Sequence, residues 1–229
     1  MTAFVDRRDA GRQLGTRLTG MFGDQDGVVL GLPRGGVPVA FEVAGALKSP
    51  LDVLVVRKVG LPEQPELAMG AVGEDGVFVE ETLTVRRFGV SREQLAHVVA
   101  EERTELNRRI RRYRKARTVI NLEGRSVIIV DDGLATGASA EAACQVVRAR
   151  GATRVTVAVP VTSATGAKRI ETVADEFVTL VSAVGPFAVG AWYEHFGQTS
   201  DQEVVDDLVR ARKREYENSS SETNQTGDS

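Results

Sequence analysis

Val127-Ile128-Ile129-Val130-Asp131-Asp132-Gly133-Leu134-Ala135-Thr136-Gly137-Ala138-Ser139 decides the reading of this chain. Its four leading β-branched residues, with Ser126 before them, form a strand of the kind covered on both faces. That strand delivers two adjacent carboxylates to a sheet edge. Small or hydroxylated residues then lead into a helix from about Ala138 to Arg150, stopped by Gly151. A helix N-terminus presents unpaired N–H groups and a partial positive charge, so it attracts phosphate. Gly133 and Gly137 let the backbone come close to such an anion, and Thr136 and Ser139 add hydroxyl donors. Asp131 and Asp132 cannot bind phosphate directly; they suit sugar hydroxyls or a hydrated magnesium ion. A phosphate cradle beside an acid pair describes a site for a ribose 5-phosphate.

Outward from this stretch, strands and helices alternate in units of roughly 25–30 residues, the pattern of a parallel α/β sheet flanked by helices. On the C-terminal side come a strand at Val155–Val159, a short helix from Thr165 to Val173 and a strand at Phe177–Val181. On the N-terminal side a helix spans Asp6 to Phe22, with Asp6 as a candidate N-cap and Gly23 as its stop. The short apolar run Val28-Val29-Leu30 then enters Leu32-Pro33-Arg34-Gly35-Gly36 and a helix from about Val37 to Leu47. The two glycines expose backbone N–H groups, and Arg34 can add a bidentate, permanently charged fork, a combination suited to pyrophosphate. The same residues also read as a tight strand–helix turn with a solvated arginine. A β-branched strand over Leu51–Val56 ends in Arg57-Lys58, two cations at the ligand edge of the sheet.

The middle of the chain breaks the alternation. Gly60 to Gly76, with Glu63, Glu66 and Met69, reads as a long loop, and Val77–Val79 with Thr82–Val85 as a small hairpin. Ser91 caps a long helix to about Arg117, with Gln94 completing a capping box. Leu95, Val98, Val99, Leu106, Ile110 and Tyr113 form its apolar stripe, and Arg108, Arg111, Arg112 and Lys115 lie opposite. The expected organisation is therefore one domain over 1–217, carrying an insertion at about 77–117 and a small C-terminal hood, followed by a disordered polar tail at 218–229.

The stretch from Val127 to Ser139 closely resembles the phosphoribosyl-pyrophosphate (PRPP) signature of type I phosphoribosyltransferases: an apolar strand, two acidic residues and a Thr-Gly-x-Thr/Ser turn. The resemblance extends over about Gly27 to Val189. It implies a mostly parallel twisted sheet flanked by helices, and roles residue by residue. Asp131 and Asp132 would be catalytic, holding the ribose hydroxyls and meeting Mg2+ through those hydroxyls or water. Ala135, Thr136, Gly137, Ala138 and Ser139 would wrap the 5-phosphate. Arg34, Gly35 and Gly36 would form the pyrophosphate loop, where the family often has a strained peptide bond, and Arg57 and Lys58 would contact the leaving pyrophosphate. Gly60 to Gly76 would be a mobile flap. Phe187, Val189 and Trp192 match a hood over a nucleobase, although Phe187, Trp192, Tyr193 and Phe196 read more simply as packing of the C-terminal lobe. The implied reaction transfers a 5-phosphoribosyl group from PRPP to a nitrogen acceptor such as a nucleobase, and the implied assembly admits a homodimer. A second reading is a sensor of PRPP or a nucleotide that docks on RNA through the basic helix face. Glu105, able to pair with Arg108 or Arg109, opposes it.

Composition sets the outer limits. The 229 residues are 42% apolar and 27% charged, which excludes wholesale disorder. With 29 basic against 32 acidic side chains, a generic nucleic-acid coat is disfavoured. No apolar window reaches about 18 residues, so no membrane helix is expected. The charged N-terminus and the single Cys144 fit a reducing, cytoplasmic setting. Cys144 reads as a small core residue, and His97 and His195 stand in no metal-ligand spacing.

Overall fold

Strand β6 (Ser126–Val130) lies at the centre of a five-stranded, wholly parallel sheet in the order β2-β1-β6-β7-β8. Its neighbours are β1 (Gly27–Gly31) and β7 (Arg154–Ser163), flanked by β2 (Leu51–Val53) and β8 (Glu176–Ala183). The computed structural model describes residues 2–22, 27–64, 67–114 and 119–225. Gly23, Glu66, Lys115 and 226–229, all invoked above, lie outside the described residues.

The apolar runs behave as strands covered on both faces. Ile128 and Val130 join one core with α1 (Arg7–Phe22), α2 (Gly36–Leu47) and α7 (Asp201–Gln225). Val127 and Ile129 point the other way, into a second core with α5 (Ala138–Ala149) and α6 (Ala164–Ile170). Asp6 caps α1, its carboxylate accepting from the Asp9 amide at 2.8 Å.

The segment from Leu51 to Gly76 corrects the expectation. The apolar run there is two strands, not one. Chain pairing with β1 ends at Val53 and resumes at Val56 in a separate antiparallel sheet, β3 (Val56–Gly60), β4 (Ala68–Gly73) and β5 (Phe78–Glu80). At the break, side chains replace strand neighbours. The Val53 amide donates to Asp52 Oδ1 at 2.8 Å, the Val55 amide to Glu74 Oε1 at 3.3 Å, and the Val53 carbonyl accepts from Arg114 at 2.9 Å. The supposed long loop instead contains β4 and a 3-10 turn at Glu74–Gly76, with 61–67 lying between β3 and β4. The supposed hairpin partner Thr82–Val85 lies in helix α3 (Thr82–Arg87).

Helix α4 (Arg92–Arg114) follows its sequence reading closely. Ser91 and Gln94 form the reciprocal capping box at 2.9 and 3.1 Å. Leu95, Val99, Leu106 and Tyr113 are buried. Sequence reading misses the buried Arg114, which bridges Asp52 and Glu74 beneath the helix end. It also misses α7, whose Val204, Leu208 and Ala211 pack into the first core. That helix continues through 218–225, where the polar composition predicts disorder; once packing nucleates a helix, adding polar turns costs little.

Candidate functional site

The acid pair stands where β6 ends, facing the loop after β1. A Cβ on Gly36 would meet the Val130 carbonyl at 2.6 Å and Asp131 Oδ1 at 3.0 Å. A Cβ on Gly35 would overlap Asp132 Oδ2 outright. Glycine at both positions lets two loops from neighbouring strands touch. The Pro33–Arg34 peptide is cis, and Arg34 is half-buried. The Asp132 amide donates to Asp131 Oδ1 at 2.8 Å, which orients the first carboxylate. Burial, reinforced by repulsion from Asp132, lifts the Asp131 carboxyl well above the usual range. Burial lifts Asp132 as well, with Arg7 pulling the other way.

The turn after the pair is fastened to β7 and α6. The Leu134 amide donates to the Val161 carbonyl at 2.9 Å, and the Ser163 amide to the Leu134 carbonyl at 2.9 Å. The Ser163 hydroxyl donates to the Ala135 carbonyl at 2.5 Å and accepts from the Gly166 amide, capping α6. The main chain at Leu134 and Ala135 is thereby held while Ala135, Thr136 and Ser139 stay exposed. Gly137, at φ +74°, turns the chain into α5 in a conformation closed to most residues. An anion would meet the first amides of a twelve-residue helix there.

Arg57 and Lys58 do not end a strand of the parallel sheet. They lie within β3, paired with Val72 and Ala71 of β4. They nonetheless share an open cleft of about 720 Å³ with Ser139 of the phosphate turn and with His97, Glu102 and Arg109 of α4. Arg57 is ion-paired to Glu102. Of the flap residues, Glu63 is exposed, whereas Met69 is fully buried in the core.

Phe187, Val189 and Trp192 are half-buried against a small cluster of Phe4, Ala10, Val161 and Tyr193. Val189 also reaches the acid turn: its Cγ1 would be 2.6 Å from a Cβ on Gly133. The basic face of α4 is largely neutralised. Glu105 accepts from Arg108 and Arg109 at 2.6–2.9 Å, and Arg112 pairs with Asp201 at 2.5 Å. Cys144 is buried, as expected.

Two partners of the acid pair have no signal in the sequence. The Tyr193 hydroxyl donates to the Asp132 carbonyl at 2.5 Å, and Arg7 Nε donates to Asp132 Oδ2 at 2.8 Å from 125 positions away. Only the sheet topology brings them together. Tyr193 is visible as an aromatic, but nothing in its spacing ties it to Asp132.

With this geometry in place, similarity to other proteins becomes informative. Residues 10–192 match the model of the phosphoribosyl transferase domain. Proteins of Mycobacterium tuberculosis strains CDC 1551 and H37Rv, both bearing the name "Putative phosphoribosyl transferase", are 54% identical over 213 residues, covering 93% of this chain and 48% of theirs. The chain thus spans about half the length of these curated relatives. The crystal structure of TT1426 from Thermus thermophilus is 46% identical, with a TM-score of 0.85 over 92% of this chain and 99% of that one.

Proposed function

The chain belongs to the phosphoribosyl transferase domain family, and on that premise we propose that it transfers a 5-phosphoribosyl group from PRPP to a nitrogen acceptor, with release of pyrophosphate. The observation that carries this reading is the contact of the acid pair with Gly35 and Gly36, next to the exposed phosphate turn of α5. One edge then offers amides for a 5-phosphate, carboxylates for ribose hydroxyls, and a glycine loop with Arg34 for pyrophosphate.

No covalent nucleophile is required. The bond from the anomeric carbon to the pyrophosphate oxygen breaks, the bond to the acceptor nitrogen forms, and the displaced nitrogen proton leaves to solvent. The protein positions the two partners and stabilises the departing charge. Thr136, Gly137, Ala138 and Ser139, with Ala135, hold the 5-phosphate. Asp131 and Asp132 orient the ribose and face the positive charge that develops on the ring. Arg34, Lys58 and Arg57 face the leaving group. Val189 and Phe187 cover the acceptor side, with Trp192 behind them.

The donor set fits magnesium brought in by the substrate. Among the described residues no group of three or more His, Cys, Asp or Glu side chains could cage a metal. Mg2+ tolerates one or two carboxylates together with substrate phosphates and water. Asp131 and Asp132 would hold it indirectly, and the ion would neutralise part of the pyrophosphate charge. No described helix is long and apolar enough to cross a membrane. Residues 1–217 are read as one working domain in a cytoplasmic setting.

Calorimetry with PRPP and Mg2+, followed by a pyrophosphate-release assay over purines, pyrimidines and smaller nitrogen bases, tests the proposal. Expected are PRPP binding and release with at least one base, both lost when Asp131 and Asp132 become Asn. Failure to bind PRPP would overturn the reading. Tight PRPP binding with no release from any base would favour a sensor.

A further inference from the structure

We propose that Arg7 is a positioning residue for the acid pair, clamped by Phe196 and Gly197 so that it fixes the Asp132 carboxylate against Gly35. The clamp uses two nitrogens and the face of the guanidinium. Nε donates to Asp132 Oδ2 at 2.8 Å, Nη1 donates to the Gly197 carbonyl at 2.7 Å, and the flat face covers the Phe196 ring with Cζ 3.9 Å from its centroid. The Arg7 and Asp132 side chains keep only 13% and 15% of their exposure. Such a planar fork loses its freedom once, then orients its partner at several points. A lysine supplies the charge without the fork or the face.

The clamp is part of a larger clasp. Tyr193 holds the Asp132 carbonyl, stacks on Phe196 with centroids 5.1 Å apart and packs on Phe4 at 5.4 Å. The Glu194 and His195 amides donate to the Phe4 and Val5 carbonyls at 2.9 Å. Asp132 is thus held at its carboxylate and at its backbone by residues from opposite flanks of the chain. Arg7, Tyr193, Phe196 and Gly197 all fall outside the segment 10–192 that matches the family model, so the family match itself does not supply this device. Two carboxylates next to each other repel, and a half-buried pair needs a fixed counter-charge to keep one orientation.

The inference rests on the phosphoribosyl reading for the ligand that benefits, while the clamp itself can be tested without ligand. The first measurement is a double-mutant cycle of Arg7→Ala and Asp132→Asn on thermal unfolding of the ligand-free protein. Coupling between the two sites is expected, and additivity would overturn the proposal. The second is calorimetry with PRPP and Mg2+. Arg7→Ala should weaken binding about tenfold or more, as for loss of a hydrogen bond to a charged group. Arg7→Lys should recover only part of the loss, Phe196→Leu should cause a smaller loss, and Arg7→Ala should add nothing in the Asp132→Asn background. Binding by Arg7→Ala as tight as the unaltered protein, or full recovery with Lys, would refute positioning. If the unaltered protein does not bind PRPP, the function fails and the ligand-free cycle still decides the clamp. If Arg7→Ala does not fold, Arg7→Lys and Phe196→Leu carry the same comparison.

Discussion

Asp132 Oδ2 occupies the space that a Cβ on Gly35 would take. The loop after β1 and the acid pair after β6 are therefore in direct contact, and neither can change shape alone.

Two alanine substitutions should separate the consequences of that contact. Gly35→Ala collides with the end of a carboxylate, which can swing only by leaving Arg7; binding of PRPP should weaken more than stability. Gly36→Ala collides with the Val130 carbonyl and the Asp131 backbone, at 2.6 and 2.8 Å, which cannot swing away. It should cost about 1–3 kcal/mol in unfolding free energy, as overpacking does. Thermal unfolding and calorimetry on the two variants check the contrast.

Asp131→Asn should stabilise the ligand-free protein near pH 7 while abolishing PRPP binding. Burial and the neighbouring Asp132 raise the folded-state pKa of Asp131 above the usual carboxylate value. The folded state therefore favours the protonated form, and stability attributable to this group falls as pH rises from the usual carboxylate range through the folded pKa. Asparagine keeps the oxygen that accepts from the Asp132 amide and removes the charge. A Tm higher by about 2–4 °C at pH 7, shrinking toward acidic pH, is expected. An unchanged difference across pH would contradict it.

Arg114→Met should be severely destabilising although it lies away from the acid pair. Arg114 binds Glu74 at 2.8 and 3.0 Å, Asp52 at 2.5 Å and the Val53 carbonyl at 2.9 Å, all buried. Removing it strands two carboxylates, at a cost of about 3–5 kcal/mol. For a chain of this size Tm should drop by about 10 °C or more. Restoring stability by adding Asp52→Asn and Glu74→Gln would identify the stranded charges as the cause.

Cys144 should resist thiol reagents in the native protein. Burial pushes its thiol up to about 12, so almost no thiolate exists at pH 8. Labelling should be negligible at pH 8 and stoichiometric once denaturant unfolds the chain. Rapid native labelling would show that α5 opens.

The parallel sheet is legible in the sequence because its strands are covered on both faces: Val127-Ile128-Ile129-Val130 is apolar without interruption, and its two sides feed two cores. The phosphate turn is legible because capping chemistry is local. What stays hidden is decided at long range. Strand β4 reads Ala-Met-Gly-Ala-Val-Gly, poor in strand formers, and Gly73 is there because a Cβ would strike Val146 of α5. The division between β2 and β3 depends on Asp52, Glu74 and Arg114, which meet from three elements. Helix α7 is hard to read because Asp201 to Arg214 is mostly charged, and the apolar residues it buries there are Val204, Leu208 and Ala211, with Val205 packed beside them.

The clasp around Asp132 also sets how much polypeptide a working unit requires. A fragment cut to residues 10–192 would retain both glycine loops and both aspartates, yet lose the guanidinium and the phenol that hold one of those aspartates still. Boundaries drawn where kinship fades would fall inside the machinery, leaving a piece that keeps every diagnostic letter and loses its grip.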